Sequence, residues 1–158
     1  LLMCNIDTLQ EKRAWLNALS LTDAKIATNP QLLMSNVHTL QDRRAWLNTL
    51  SVRDAKIATY PRLLTNNVDT LQEKRAWLNA RGLTDAKIAT NPLLLMCSIE
   101  KNLAPTFEWL TASFPTFKVN NKPGVLSLCL SRMKRAREEL GETASLTKVT
   151  RCKCLAGP

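Results

Sequence analysis

The order of apolar and polar residues along this chain repeats every 31 residues. Segments 6–30, 37–61 and 68–92 align without gaps, and each closes on a proline. A fourth copy over 99–123 is divergent but keeps its final proline, and a partial fifth copy follows it. Self-similarity at this period is typical of stacked helical units rather than of a single mixed fold.

Within each copy, the first apolar stretch has the spacing of an amphipathic helix. Leu9, Leu16 and Leu19 fall on one arc of a helical wheel. The pattern predicts that this helix begins at Thr8, where Glu11 completes a capping box, and the same signature recurs at 39/42 and 70/73.

A second, shorter helix is predicted to begin at Ser20, with Asp23 three residues on, and to end near Thr28. The proline at the end of each copy disfavours continuation of the helix. The leucine-rich segment behind that proline has room only for a single 3₁₀ turn. No segment has the period-2 alternation of a strand.

A pair of such short helices cannot bury its apolar stripe alone, whereas stacked pairs can. We therefore predict an all-α fold over residues 1–140, a right- or left-handed curved α-solenoid of about four to five 31-residue repeats. The array starts in the middle of a repeat, so we expect native sequence upstream. Residues 141–158 are polar, threonine-rich and aperiodic, and are predicted to form a flexible basic tail.

The composition narrows the class of partner. The 158 residues carry 22 Lys and Arg against 13 Asp and Glu, a formal charge of +9, which favours polyanionic partners and nucleic acid above all. No apolar run approaches the ~20 residues of a membrane span, so no membrane association is expected. Five cysteines, an odd number in a chain with ample core, argue against a secreted disulfide scaffold.

Three columns of cations recur at the repeat spacing. Stacked helices lie ~8–10 Å apart, so three or four units span a distance close to one turn of duplex DNA, ~34–36 Å. We therefore take these columns as candidate phosphate contacts. They are the Arg13 column (Arg13, Arg44 and Arg75), the Lys12 column (Lys12, Arg43 and Lys74) and the Lys25 column (Lys25, Lys56 and Lys87).

Each column also has a structural alternative. A repeated cation on a helix is often only a solvated face, and Glu11 and Asp23 partly neutralise the charge. Lys12 falls within the apolar arc of its helix, so the pattern favours for its column a stem that lies over the core.

A cluster of cations occupies two predicted helical turns near the C-terminus, at Arg132, Lys134, Arg135 and Arg137. It is predicted to clamp nucleic acid at the end of the array. The alternative is a solubilising cap on the last repeat.

The sequence contains no constellation typical of an enzyme. It lacks a glycine-rich phosphate loop, a metalloprotease HExxH and a GxSxG nucleophile motif. The single histidine, His38, and the Cys152-Lys153-Cys154 triplet do not make up the four ligands of a zinc site. We therefore expect no catalytic residue, metal, cofactor or small-molecule substrate.

The unit resembles the mitochondrial transcription termination factor (mTERF) repeat. The resemblance is carried by a short helix that ends in a proline-dileucine step and leads into a long helix, as in AKIATNPQLLMSNVHTLQDRRAWL and AKIATNPLLLMCSIEKNLAPTFEWL, the second of which has Pro105 in an LxPxxxxL pattern. PGVLSLCLSRMKRAREEL is similar to a C-terminal unit of the family, and the resemblance covers about residues 1–140.

This resemblance implies a curved solenoid of three helices per repeat, in a protein of the mitochondrion or, alternatively, the chloroplast. It implies binding of double-stranded DNA, or of RNA in some members, in transcription regulation and termination. The alternative is a protein-interaction or RNA-binding scaffold in organellar gene expression or ribosome assembly. We expect a monomer.

Overall fold

The structure, a computed structural model, describes residues 6–151 and consists of helices joined by short turns and loops. No strand occurs in that range, so the prediction of an all-α fold is confirmed. Three successive units each contain a long helix, a short helix and one further turn. In chain order they are α1 (Ile6–Ala18), α2 (Asp23–Ala27) and α3 (Gln31–Met34); α4 (Val37–Thr49), α5 (Asp54–Thr59) and a 3₁₀ turn (Pro61–Leu64); and α6 (Val68–Asn79), α7 (Asp85–Thr90) and a 3₁₀ turn (Pro92–Met96).

The rest of the described chain departs from this plan. A π-helical stretch leads directly into a long helix, two 3₁₀ turns follow, and two helices end the described range. They are Ile99–Leu103, α8 (Ala104–Ser113), the turns Val119–Asn121 and Pro123–Ser127, α9 (Leu130–Leu140) and α10 (Leu146–Arg151).

The long helices begin two residues earlier than the capping boxes predicted. α4 and α6 are capped by Asn36 and Asn67, whose side-chain oxygens accept from the amides of His38 at 3.0 Å and Asp69 at 3.2 Å. The prediction of starts at Thr8 and its equivalents was wrong because an asparagine is as good an N-cap as threonine and stands earlier in the chain. Thr8 itself is an exposed residue inside α1.

The prediction that Ser20 and its equivalent Ser51 begin the second helix of their units is wrong. Both residues instead end the first helix. Both have left-handed backbone angles, with φ of 64° and 62°, as does Gly82 in the third copy at 86°. In the first copy the amide of Leu21 donates to the carbonyl of Leu16 at 3.2 Å and that of Ser20 to Asn17 at 2.9 Å. This pair of bonds is a Schellman motif, and the other two copies repeat it.

The left-handed backbone at Ser51 and Gly82 leads to a prediction about the free energy of unfolding. We expect Ser51→Gly to raise the free energy of unfolding by about 1 kcal/mol, because a residue with a Cβ is strained at this φ and glycine is not. Gly82→Ser should lower it by a similar amount, although nothing lies within 4 Å of a Cβ built there.

Urea denaturation measures both changes. Ala45→Gly, at an exposed position inside α4, is the matched control and should cost roughly 0.5–1 kcal/mol. A loss of stability in Ser51→Gly as large as that of the control would contradict the left-handed assignment.

The turns that follow the prolines form a continuous apolar row. Pro61–Leu64 contacts Pro92–Met96, which in turn contacts Pro123–Ser127. Leu63 and Leu94 are 0% exposed and belong to one cluster that joins the buried residues of every unit. The predicted 3₁₀ turn is confirmed in the second and third units, whereas the first unit has a single α-helical turn, α3.

The fourth unit opens with a π-helical stretch because of its proline. Pro105 lies in the first turn of α8 and has no amide hydrogen to donate. The amide of Leu103 reaches back five residues to the carbonyl of Ser98, at 3.0 Å, which widens the preceding turn. The wider turn accommodates one extra residue, and Trp109 accordingly stands one place later than the repeat requires.

The segment predicted to be a flexible basic tail contains a packed helix over part of its length. α10 lies against α9, and Val149 is 0% exposed while Ala144 is 9% exposed. The two apolar residues are too few to give a periodic signal, which is why the expectation of poor order failed for 141–151. Residues 152–158 of that predicted tail lie outside the described residues.

Candidate nucleic-acid interface

Every member of the Arg13 column forms a two-point ion pair within its own unit. Arg44 Nε and Nη2 lie 3.0 and 2.7 Å from the two carboxylate oxygens of Asp54, and Arg75 meets Asp85 at 3.0 and 2.5 Å. Arg13 pairs with Asp23 in the same way, with Nε 2.8 Å from Oδ1. Each pair joins the long helix of a unit to the first residue of its short helix.

These pairs shape the electrostatics of the column. Hydrogen bonds from the guanidinium groups lower the pKa of Asp23, Asp54 and Asp85 below the ordinary carboxyl value. The carboxylates therefore stay ionised at neutral pH, and each pair has no net charge. The Arg13 column is partly exposed, but a phosphate must compete there with a carboxylate already in place.

The Lys12 column is directed toward backbone carbonyls. Lys12 Nζ donates to Leu33 O at 3.1 Å, Arg43 Nη1 to Leu64 O at 2.7 Å, and Lys74 Nζ to Leu95 O at 2.9 Å. Each acceptor lies in the last turn of its own unit, 21 residues further along the chain. Lys12 is only 6% exposed. The structure thus favours the alternative in which this column covers the core and satisfies helix-end carbonyls.

The Lys25 column is the least uniform of the three. Lys25 is half-buried and donates to Ala58 O, in the next unit, at 2.7 Å. Lys56 and Lys87 are exposed, and among residues 6–151 their side chains make no hydrogen bond or ion pair. These two lysines keep the full charge that a phosphate contact needs.

A groove between the short helices of the second and third units contains one of these lysines. This α5–α7 groove has a volume of about 640 Å³, and Arg53 and Lys56 line it beside Ala86 and Ala89. Arg53 is exposed, and its side chain has no partner within the described part of the chain. Sequence reasoning missed Arg53 because it looked for cations that recur, and threonine stands at this place in the other copies.

The threonine hydroxyl groups of the groove are already in use as donors. Thr49 Oγ1 donates to Trp46 O at 2.6 Å, Thr59 to Ala55 at 2.8 Å and Thr90 to Ala86 at 2.9 Å. Asp85 also lines the groove but is held by Arg75. Arg53 and Lys56 are therefore the charged groups in the groove with donors to offer an anion, and the Ser51 hydroxyl lies beside them.

The second unit is also where the charge of the array is unbalanced. Residues 37–67 hold five Lys and Arg against two acids, whereas residues 6–36 hold three of each. Arg53 and Arg62 account for the two extra cations, since neither copy beside them has a cation at these places, and His38 in place of Asp7 accounts for the missing acid. This departure from the repeat was a signal, present in the sequence, that could have located the groove.

The C-terminal cluster separates into outward and inward members. Lys134 and Arg135 are exposed on α9, and their side chains have no partner in 6–151. Arg132 is exposed too, but it takes part in a further interaction. Arg137 points inward: its Cζ lies 5.0 Å from the ring centre of Phe114, and its Nη2 donates to Glu142 O at 3.2 Å.

Comparison with protein-family models, curated proteins and solved structures finds no match for this chain. Among residues 6–151, no helix has the length and apolar character to cross a bilayer. The same range contains no group of three or more His, Cys, Asp or Glu placed to hold a metal ion.

Proposed function

We propose that this chain is a nucleic-acid-binding helical-repeat protein of mTERF type, an α-solenoid that binds double-stranded DNA in organellar transcription regulation or termination. The sequence resemblance and the 31-residue period support this proposal, as does the row of contacts between the turns of successive units. We propose the mitochondrion as its location, with the chloroplast as the alternative, and a monomeric state. The proposed activity is binding without catalysis.

The observation that carries the proposal is a set of exposed cations without internal partners. From the exposed cations of residues 6–151 whose side chains have no partner, we assign five to the contact surface, in the α5–α7 groove, the Lys25 column and α9: Arg53, Lys56, Lys87, Lys134 and Arg135. Their charge is not offset by carboxylates, unlike that of the Arg13 column, so they are the groups through which phosphates gain most. The proposed contact surface thus shifts from the regular columns to the α5–α7 groove and the outward side of α9.

The test is duplex binding as a function of salt. If the five cations each contact one phosphate, the slope of log Kobs against log[NaCl] is about −4.5, and Kobs falls about 500-fold between ~50 and 200 mM NaCl. Fluorescence anisotropy with a labelled duplex measures this directly. Binding whose strength hardly changes over that range would contradict a phosphate-contact mechanism.

A protein-interaction or RNA-binding scaffold is the second candidate function. It is favoured by the neutral ion pairs of the Arg13 column, which give a regular surface suited to hydrogen bonds with a polar partner. A competition assay separates the candidates. Single-stranded RNA that displaces the duplex at equal concentration favours the RNA scaffold, and absence of any nucleic-acid binding favours the protein scaffold.

A further inference from the structure

A cavity of about 480 Å³ lies where the start of the fourth unit meets the start of α9. It is lined by Cys129 and by two exposed cations, Lys101 from the π-helical stretch and Lys134 from α9. Ser131 and Thr106 add hydroxyl groups to its wall. The cavity is separate from the α5–α7 groove and from the Arg13 column.

The Cys129 thiol is held in a position that favours its ionised form. Cys129 is exposed, is the residue before the first turn of the 11-residue helix α9, and has its Sγ 3.1 Å from Ser131 Oγ. The hydrogen bond with Ser131 and then the backbone amide of Arg132 lower the pKa of the thiol. A thiolate at such a place is the reactive form of cysteine.

Thr106 supplies an independent indication of a ligand. It is 1% exposed and lines the cavity, and within residues 6–151 its side chain makes no hydrogen bond. A polar ligand in the cavity can therefore provide a hydrogen bond to this side chain. The combination of a reactive thiol, two cations and a hydroxyl available for hydrogen bonding suits an anionic, sulfur-containing ligand.

We propose that this cavity binds a small anionic disulfide of the oxidised-glutathione class and that Cys129 forms a mixed disulfide with it. Lys101 and Lys134 pair with carboxylates of the ligand, and Thr106 hydrogen-bonds to a polar group of its peptide chain. The Cys129 thiolate attacks one sulfur of the ligand, a new S–S bond forms, and the original S–S bond breaks. The departing thiolate takes up the proton that the Cys129 thiol released on ionisation.

The chain contains its own comparison cysteine. Cys97 is half-buried, and burial raises the pKa of its thiol. Cys97 and Cys129 lie in different tryptic peptides. After timed exposure of the full chain to oxidised glutathione, peptide mass spectrometry should show Cys129 modified at least about tenfold faster than Cys97. Equal rates at the two cysteines would overturn the proposal.

A second experiment tests the role of the cavity itself. The Lys101→Gln/Lys134→Gln double variant should react several-fold more slowly with oxidised glutathione but at the unchanged rate with hydroxyethyl disulfide, which has no charge. Thr106→Val should show the same selectivity, and circular dichroism verifies that the variants are folded. If the double variant reacts with both reagents equally more slowly, or with both at the rate of the unaltered chain, the cavity does not bind the anionic disulfide and the proposal fails.

Discussion

Replacing Arg53, Lys56 and Lys87 together by glutamine should reduce the salt slope of duplex binding by about 2.7, at 0.9 for each lost phosphate contact. These three side chains are exposed and have no internal partner among the described residues, so their removal takes away charge without breaking a structural contact. The measurement is the anisotropy titration at several NaCl concentrations. No three-residue change in this chain is expected to have a larger effect on binding.

The Arg13 column provides a control with the same change in formal charge. Arg13→Gln, Arg44→Gln and Arg75→Gln together also remove three positive charges, but from neutral pairs with Asp23 and its equivalents. We expect a slope close to that of the unaltered chain. A loss as large as that of the first variant would mean that the ion pairs open on binding and that the Arg13 column is the phosphate surface. If neither variant changes the slope, binding through the units is excluded.

The helical architecture could be predicted from the sequence because it depends on local patterns. Apolar spacing and the terminal prolines suffice to place the long helices and the turns. The structure differs from the prediction at the helix ends, in the α-helical turn α3 and in the helix α10 of the predicted tail. The role of Ser20 could not be predicted from its own copy, because a serine three residues before an aspartate has the signature of a capping box. Gly82 at the equivalent place was the one sign of a left-handed backbone.

The interaction partners of the recurring cations could not be predicted from helical spacing. Arg44 meets Asp54 ten residues away, across the turn between two helices, and Arg43 meets a carbonyl 21 residues away. Sequence reasoning about charge on a helix considers neighbours three or four residues apart, and these partners lie outside that range. Only the folded unit shows which cations are used internally, and hence why we propose Arg53 rather than a recurring arginine as a phosphate contact.

The largest expected effect on stability is that of Leu63→Ala, which should lower the free energy of unfolding by about 2–5 kcal/mol. Leu63 is 0% exposed and belongs to the turn Pro61–Leu64, which packs against Pro92–Met96, so its truncation leaves a cavity between neighbouring turns. Met34→Ala, at a residue that is 81% exposed, should change the free energy by less than about 0.5 kcal/mol. Urea denaturation followed by circular dichroism measures both.

The position of Leu63 in the chain makes the same experiment a test of the proposed solenoid. Leu32 is its equivalent in the first unit and is also 0% exposed. In a stack where each unit contacts only its neighbours, Leu63→Ala weakens the junction between two interior units. The urea unfolding transition of this variant should therefore broaden or split in two. Leu32→Ala affects the first unit and should keep the main transition sharp. If both variants unfold in a single transition of the same steepness, the units share one undivided core and the solenoid proposal is wrong.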